Sequence, residues 1–300
     1  MSDTTQARPG PALSRSPDRQ SYVECISKRG FHRVAYVEWG EPTASRVAIC
    51  VHGLTRQGRD FDPLACALAA RGWRVICPDL AGRGRSGRLR DPNEYALPQY
   101  AMDLTVLISR IGAEKVSWIG TSLGGLIGIV MAGQENSPVE RLVVNDIGPY
   151  LPWPALFRIG SDVGSAPRSF PSYESALSFY RKVLAPFGDL TSEEWDHLVR
   201  HSMERDADGS WRPLCDPGIA AAFRPVFLYN LSLWSYWDAV RCPTLVLRGA
   251  ESDLLLPSTA KEMTQRGPCA RLVEFPGCGH APPLLNRHQV SVVTDWLDDV

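Results

Sequence analysis

A serine held between glycines, in Gly120-Thr121-Ser122-Leu123-Gly124 with Gly125 following, is the pattern with the most chemical content in this chain. It stands where an apolar run suited to a strand gives way to an apolar run suited to a helix. At such a junction the serine occupies a tight, strained turn. The flanking glycines let strand and helix approach without Cβ clashes. The turn lifts the Ser122 hydroxyl clear of the sheet and sets it by the positive end of a helix dipole. The chemistry this suits is nucleophilic attack on a carbonyl carbon.

A hydroxyl is a weak nucleophile unaided and needs a base. The histidines are His32, His52, His197, His201, His280 and His288. His280 lies in Gly277-Cys278-Gly279-His280-Ala281-Pro282, a flexible loop between the expected last strand and last helix. Such a loop at the carboxyl edge of a sheet can reach Ser122, and its glycines suit a functional loop better than a packed core. His32 and His288 read as surface residues. His197 and His201 share a helix face, but Leu198-Val199-Arg200 between them lacks the glutamate of a zinc-protease motif, so a solvated helix is expected there.

The base in turn needs an orienting carboxylate. Asp253 is the first choice, reached from the strand over residues 244–247 through Arg248-Gly249-Ala250-Glu251-Ser252. Asp146, ending the strand over residues 141–145, is the alternative, and Glu251 is a third. His52-Gly53-Leu54-Thr55 follows the run Val47–Val51. The main-chain N–H near Leu54, with that of Leu123, would bind the oxyanion of a tetrahedral intermediate. His52 then shapes this loop and is not a second base.

These residues need a scaffold, and the chain alternates strand and helix patterns to supply one. Two strand-like runs over residues 23–39 meet at a turn signal, Arg29-Gly30. Strands over 47–51, 73–77, 115–119 and 141–145 then alternate with helices over 61–70, 100–111 and 123–132. The rhythm resumes with strands over 243–247 and 271–275 and helices over 258–266 and 287–297. Alternation of this kind predicts βαβ units and a mostly parallel central sheet flanked by helices, an α/β fold. Residues 21–149 and 238–300 would form that core, and residues 150–237 an inserted helical lid with helices near 173–184 and 192–203.

That insert holds 16 of the chain's 27 aromatic residues. Aromatic side chains supply a small core with buried area, and they also suit the roof of an apolar pocket. An enclosed, largely apolar pocket is expected there, with Trp153 and Trp234 as its lining.

Pro78-Asp79-Leu80-Ala81-Gly82-Arg83-Gly84-Arg85-Ser86, together with His52-Gly53, the serine turn, Asp253 and Gly279-His280, resembles the α/β-hydrolase superfamily in content and order over residues 22–297. Relatives often carry an aromatic or a further glycine after His-Gly, where Leu54-Thr55 stand here. The resemblance implies a serine hydrolase acting on a small or medium carboxylic ester through Ser122, His280 and Asp253, with no metal and no organic cofactor. It also permits a carbon–carbon bond or enol-lactone hydrolase, or a non-catalytic ligand-binding protein on the same fold. Dehalogenases and epoxide hydrolases are disfavoured, because those relatives place Asp where Ser122 stands. Gly82-x-Gly84-x-x-Gly87 matches a dinucleotide fingerprint by letter only, since Pro92 and Pro98 follow where a helix should open.

Composition narrows the partners. Lys plus Arg number 32 and Asp plus Glu 33, a net charge of −1 that lacks the footprint of a nucleic-acid or polybasic membrane binder. Eight scattered cysteines without CxxC pairs fit reduced thiols rather than a disulfide framework or zinc site, and with them a cytoplasmic setting. Residues 1–20 are polar and Pro-bearing without an apolar core, which suits a disordered tail better than a secretory signal. The uncharged run over residues 116–134 could span a bilayer by length, but its central glycines favour strand, turn and helix.

Overall fold

Short β-branched runs flanked by helices cover both faces of their strands, and the central strands of this protein are buried along their length. The computed structural model describes residues 13, 15–223 and 230–300. Two aromatics of the expected insert, Phe227 and Tyr229, lie outside them, as does most of the expected N-terminal tail. β1 (Arg19–Ser27), β2 (Gly30–Trp39), β3 (Val47–Val51), β4 (Arg74–Pro78), β5 (Val116–Thr121) and β6 (Val139–Asn145) are joined by β11 (Thr244–Gly249) and β12 (Arg271–Phe275). They form an eight-stranded sheet in the order β1-β2-β4-β3-β5-β6-β11-β12. β1 and β2 form an antiparallel hairpin and β2 pairs antiparallel with β4, while every remaining pair is parallel. β3 is buried throughout, as a parallel strand covered on both faces must be, whereas the edge strand β1 is largely exposed.

Helices cover the two faces. On one, α2 (Leu97–Ile111) and α3 (Leu123–Ala132) set Leu104, Leu107, Ile127 and Ile129 against Trp118 and Leu142 of the sheet. On the other, α1 (Asp62–Ala69) and α9 (Arg287–Asp299) bring Leu64, Leu68, Val293 and Trp296 against Cys50, Val75 and Leu245. α8 (Pro257–Met263) follows β11. The uncharged stretch over residues 116–134 is β5, a turn and α3, and among the described residues no helix is long and apolar enough to cross a membrane.

Between β6 and β11 the chain departs from the sheet. β7 (Tyr150–Leu151) pairs antiparallel with β10 (Leu231–Ser232), so this segment leaves and returns side by side. Within it lie α4 (Trp153–Ser165), α5 (Tyr173–Val183), α6 (Ser192–Arg200), and a small hairpin of β8 (Met203–Arg205) and β9 (Trp211–Pro213); α7 (Trp234–Ala239) follows β10. α4 has no counterpart in the sequence reading, because Pro152 and Pro154 suggest a break; Pro154 falls in the first helical turn, where proline is tolerated. α6 ends earlier than expected because Met203 already pairs into the hairpin. The segment has a small core of its own around Phe170, Ala176 and Val199, and a second cluster, Leu184, Trp195 and Leu198, packs on Leu285 from the loop before α9.

Candidate active site

β5 ends at Thr121 and α3 begins at Leu123, leaving Ser122 alone to make the turn. Its backbone is held at φ 51°, a region that costs a residue with a Cβ about 1 kcal/mol or more and persists only when the surroundings enforce it. The enforcement is visible. A Cβ on Gly120 would strike the Gly124 carbonyl, and one on Gly124 would strike the carbonyl of Val51 in β3. Ser122 N–H donates to the Asn145 carbonyl at 2.9 Å, pinning the turn to the end of the neighbouring strand.

His280 brings the second element of chemistry. Its Nε2 lies 2.9 Å from Ser122 Oγ and its Nδ1 lies 2.8 Å from Asp146 Oδ2. A carboxylate can only accept, so Nδ1 carries the proton and bare Nε2 accepts from the serine hydroxyl. The His280 loop is tied to the turn by Asn145, whose Nδ2 donates to Thr121 Oγ1 at 3.0 Å and to the Pro282 carbonyl at 2.8 Å. Asp146 is fully buried, at φ 56°, immediately beyond β6. Gly249 N–H donates to its Oδ1 at 2.8 Å and Ser252 Oγ–H to its Oδ2 at 2.6 Å. These donors hold the carboxylate in the plane that His280 requires.

The expectation of Asp253 beside His280 is corrected by this geometry. Asp253 is exposed and pairs with Arg158 of α4 at 2.7 Å. The turn after β11 delivers Ser252 to the buried carboxylate and leaves its neighbour facing outward. Glu251 is likewise exposed and donates its backbone N–H to the Cys278 carbonyl. Asp146, the alternative, is the acid the structure brings to His280. Asn145, Gly249 and Ser252 have no signature in the sequence, because their contributions come from the ends of two strands, β6 and β11, that are far apart in the chain.

The loop after β3 borders the serine. A Cβ on Gly53 would sit 3.6 Å from Ser122 Cβ. Leu80 N–H donates to His52 Nε2 at 2.9 Å, so the His52 proton is on Nδ1, which donates to the Gly53 carbonyl at 2.7 Å. That bond turns the Gly53 carbonyl toward His52. In a planar trans peptide the Leu54 N–H then points the opposite way. Leu123, the first residue of α3, has an N–H without an acceptor in its own helix. His52 is buried, and burial pushes its pKa down to about 3, which keeps the imidazole neutral and able to accept from Leu80.

Other sequence expectations change with burial. His32 is not a surface residue: it is buried with its Nε2 2.9 Å from Asp103 Oδ2. His288 is exposed. His197 is buried, with Nε2 donating to the Arg59 carbonyl at 2.8 Å, so α6 is not a solvated helix on that face. Its ring meets His201 edge-on, and ligand atoms of Asp62, His197 and His201 fall within 4.8 Å of one another. Asp62, however, is already paired with Arg59 at 2.6 Å. Burial first, then Arg59, His197 and Arg85, push the His201 pKa down to about 3.

Both shifted histidines are charged more readily in the unfolded chain, at the ordinary value of 6.5, than in the fold. Their stabilisation is therefore complete above pH 6.5 and is lost as pH falls from there toward 3. Melting temperatures measured from pH 7.5 down to 4.5 are expected to fall, and the His201→Gln protein is expected to show a shallower decline. Parallel curves for the two proteins would contradict the assignment.

The lining expected of an apolar pocket is also revised. Trp153 is 41% exposed at the start of α4. Trp234 lies beneath the Arg266 guanidinium at 4.3 Å, on α7, whose Tyr236 carbonyl abuts Gly133 at the far end of α3 from Ser122. Trp234 is thus removed from the serine by the length of that helix. A cavity of about 920 Å³ opens between the loop after β4 and the β8–β9 hairpin, and charged groups stand among its walls: Arg59, Asp79, Arg85, Arg200, His201 and Arg212. The glycines of Gly82-x-Gly84-x-x-Gly87 belong to that loop. Gly84 sits at φ 52° against the Asp79 carboxylate, with no helix opening directly after it.

The match to known proteins covers nearly the whole of this architecture. The family model described as "Alpha/beta hydrolase family" aligns with residues 48–292. The chain belongs to the alpha/beta hydrolase family. It is similar to the 3-hydroxybutyrate-oligomer hydrolase of Cupriavidus necator, with 45% identity over 95% of this chain and 99% of that protein. Among solved structures, an alpha/beta hydrolase from Novosphingobium aromaticivorans superposes with a TM-score of 0.81 at 33% identity, covering 94% of this chain and 99% of the other. A hydrolase structure from Rickettsia typhi gives a TM-score of 0.88 at 28% identity with the same coverage. As an alpha/beta hydrolase the protein is an enzyme, and its mostly parallel sheet is the family's.

Proposed function

We propose that the protein is a serine ester hydrolase that cleaves short oligoesters of a hydroxy acid. The single observation that carries the reading is His280 bridging Ser122 Oγ at 2.9 Å and buried Asp146 at 2.8 Å. The similarity to a 3-hydroxybutyrate-oligomer hydrolase over nearly the full length of both chains supports the substrate class.

In this reading Ser122 Oγ attacks the ester carbonyl while His280 Nε2 takes its proton. Asp146 stabilises the imidazolium. The N–H groups of Leu54 and Leu123 receive the oxyanion, and such donors contribute about 3–4 kcal/mol of transition-state stabilisation each. Collapse breaks the ester C–O bond, and the alcohol leaves with the proton from His280. Water, deprotonated by His280, then attacks the acyl-serine and releases the carboxylic acid. Residues 150–237 act as a lid over this site, hinged where β7 and β10 lie side by side.

The test is a panel of purified substrates: linear 3-hydroxybutyrate dimer and trimer, a p-nitrophenyl acyl ester, an enol-lactone and a vinylogous diketone. Release of 3-hydroxybutyrate from the oligomers is expected at a kcat/KM above that for the lactone and diketone. Binding of the oligomers without turnover of any ester would support the ligand-binding alternative instead.

A further inference from the structure

Two guanidiniums are buried beside the loop that carries Leu54, and each has one nitrogen without a partner. Arg56 sends Nε and Nη2 to Asp60 at 2.7 Å each, and Nη2 also to the Leu198 carbonyl at 3.3 Å, while its Nη1 has no acceptor. Arg83 is fully buried. Its Nε donates to the Leu54 carbonyl at 2.8 Å, and its Nη1 donates to the Ala81 carbonyl at 2.7 Å and to Tyr100 Oη at 2.6 Å. Arg83 Nη2 has no acceptor, and among the described residues no carboxylate lies within ion-pairing distance of this side chain. Arg83 bonds the Leu54 carbonyl two residues before Arg56, which brings both side chains to the same loop. A buried cation without a counter-ion is costly, and so is a buried donor without an acceptor. A fold that holds both next to its nucleophile is arranged for an anion.

The locus is close to the chemistry. A Cβ placed on Gly53 would lie 3.6 Å from Ser122 Cβ and 3.9 Å from Arg56 Cγ, so the two side chains start on either side of one glycine. A linear oligoester of a hydroxy acid has one free carboxylate, and it is always on the alcohol side of every ester bond in the chain. In a 3-hydroxy acid, four bonds separate the scissile carbonyl carbon from the carboxylate carbon of the next unit, a span of roughly 5 Å at bond lengths near 1.5 Å. A carboxylate at that distance from the carbon attacked by Ser122 is what the Arg56 guanidinium has to reach.

We propose that Arg56 Nη1, backed by the uncompensated Arg83 guanidinium, receives the free carboxylate of the substrate, so that the enzyme releases the terminal hydroxy acid from the carboxylate end. The inference rests on the oligoester-hydrolase reading above. The Tyr180 ring stands 5.9 Å from the Arg56 guanidinium carbon, beside the proposed carboxylate position. Hydrolysis is unchanged in its balance: the ester C–O bond breaks, the acyl–Ser122 bond forms, and the departing hydroxy acid takes the His280 proton on its hydroxyl oxygen.

The test compares kcat/KM for the linear 3-hydroxybutyrate dimer with that for its methyl ester, which has the same scissile bond and no charge. A charge-assisted hydrogen bond predicts that the wild-type protein prefers the acid by about 10- to 100-fold. In Arg56→Gln the preference is expected to shrink to within about threefold, and Arg56→Lys is expected to retain part of it. The ratio cancels any general loss of activity, and the wild-type ratio stands even if Arg56→Gln does not fold. A trimer carrying ¹³C in its carboxylate-terminal unit is expected to yield labelled monomer first. Equal turnover of acid and methyl ester, an unchanged ratio in Arg56→Gln, or unlabelled monomer as the first product would each overturn the inference and leave the ester-hydrolase reading in place. Failure to cleave either substrate would overturn that reading and the inference together.

Discussion

Ser122→Ala is expected to lower turnover by about 10⁴- to 10⁶-fold while leaving the fold intact. The strained backbone at φ 51° is carried by any residue with a Cβ, so alanine inherits the turn without a new penalty. The substitution removes one hydroxyl and the 2.9 Å contact to His280, and no donor in the core loses its acceptor. Melting temperature should therefore shift little. The measurement pairs initial rates on an activated acyl ester with mass spectrometry after an active-site-directed phosphonate, whose adduct is expected on Ser122 in the wild-type protein and nowhere in the variant. Labelling elsewhere, or turnover near the wild-type level, would contradict the mechanism.

Asp146→Asn is expected to cost about 10⁴ in kcat, and Asp253→Asn less than about threefold. The reason for the first lies in the donors around the carboxylate. Gly249 N–H needs an acceptor at the Oδ1 position, so an asparagine there keeps its carbonyl toward Gly249 and turns its NH₂ toward His280. Nδ1 must then accept, the ring proton moves to Nε2, and Nε2 can no longer take the proton of Ser122. Ser252 can adapt, since its hydroxyl rotates. For Asp253 the loss is an exposed pair with Arg158, an interaction of about 0–1 kcal/mol that does not touch His280. Rates and melting curves for both variants decide the matter. A severe Asp253→Asn defect beside a mild Asp146→Asn one would reverse the assignment.

The parts of the site that are legible in the sequence are those whose constraints are local. Ser122 is readable because a strand-to-helix turn of one residue demands glycines at fixed offsets, and Gly120 and Gly124 show why when a Cβ is placed on them. His280 is readable because a glycine-rich loop after the last strand has one destination, the carboxyl edge of the sheet. The sheet itself follows from the alternation of buried β-branched runs with amphipathic helices, and strands such as Val47–Val51 and Arg271–Phe275 begin and end where the pattern places them. The N-terminal hairpin is equally local, since Gly30 at φ 126° closes it.

Burial of histidines is decided differently. His32 sits near the start of β2, where alternation leaves every second residue outward, yet its side is covered by α2, from which Asp103 reaches it. His197 is buried because α6 lies on the loop before α1, a contact between residues far apart in the chain. No window of sequence contains either partner.

The choice of acid is the sharpest case. Asp146 and Asp253 both follow parallel strands, both come after Ser122 and before His280 in the chain, and both stand in polar turns. Chain order and turn chemistry cannot separate them. The sheet order β5-β6-β11 can, because it sets the end of β6 directly beside the serine turn and beneath the amide of Gly249. With φ at 56° Asp146 turns inward, where Gly249 and Ser252 satisfy it, and the same β11 turn that supplies Ser252 directs Asp253 out to Arg158. The residue types and their local turns were determined by the sequence alone; which carboxylate meets the imidazole was decided only when three strand ends came together, because a buried charge goes where donors from separate segments converge.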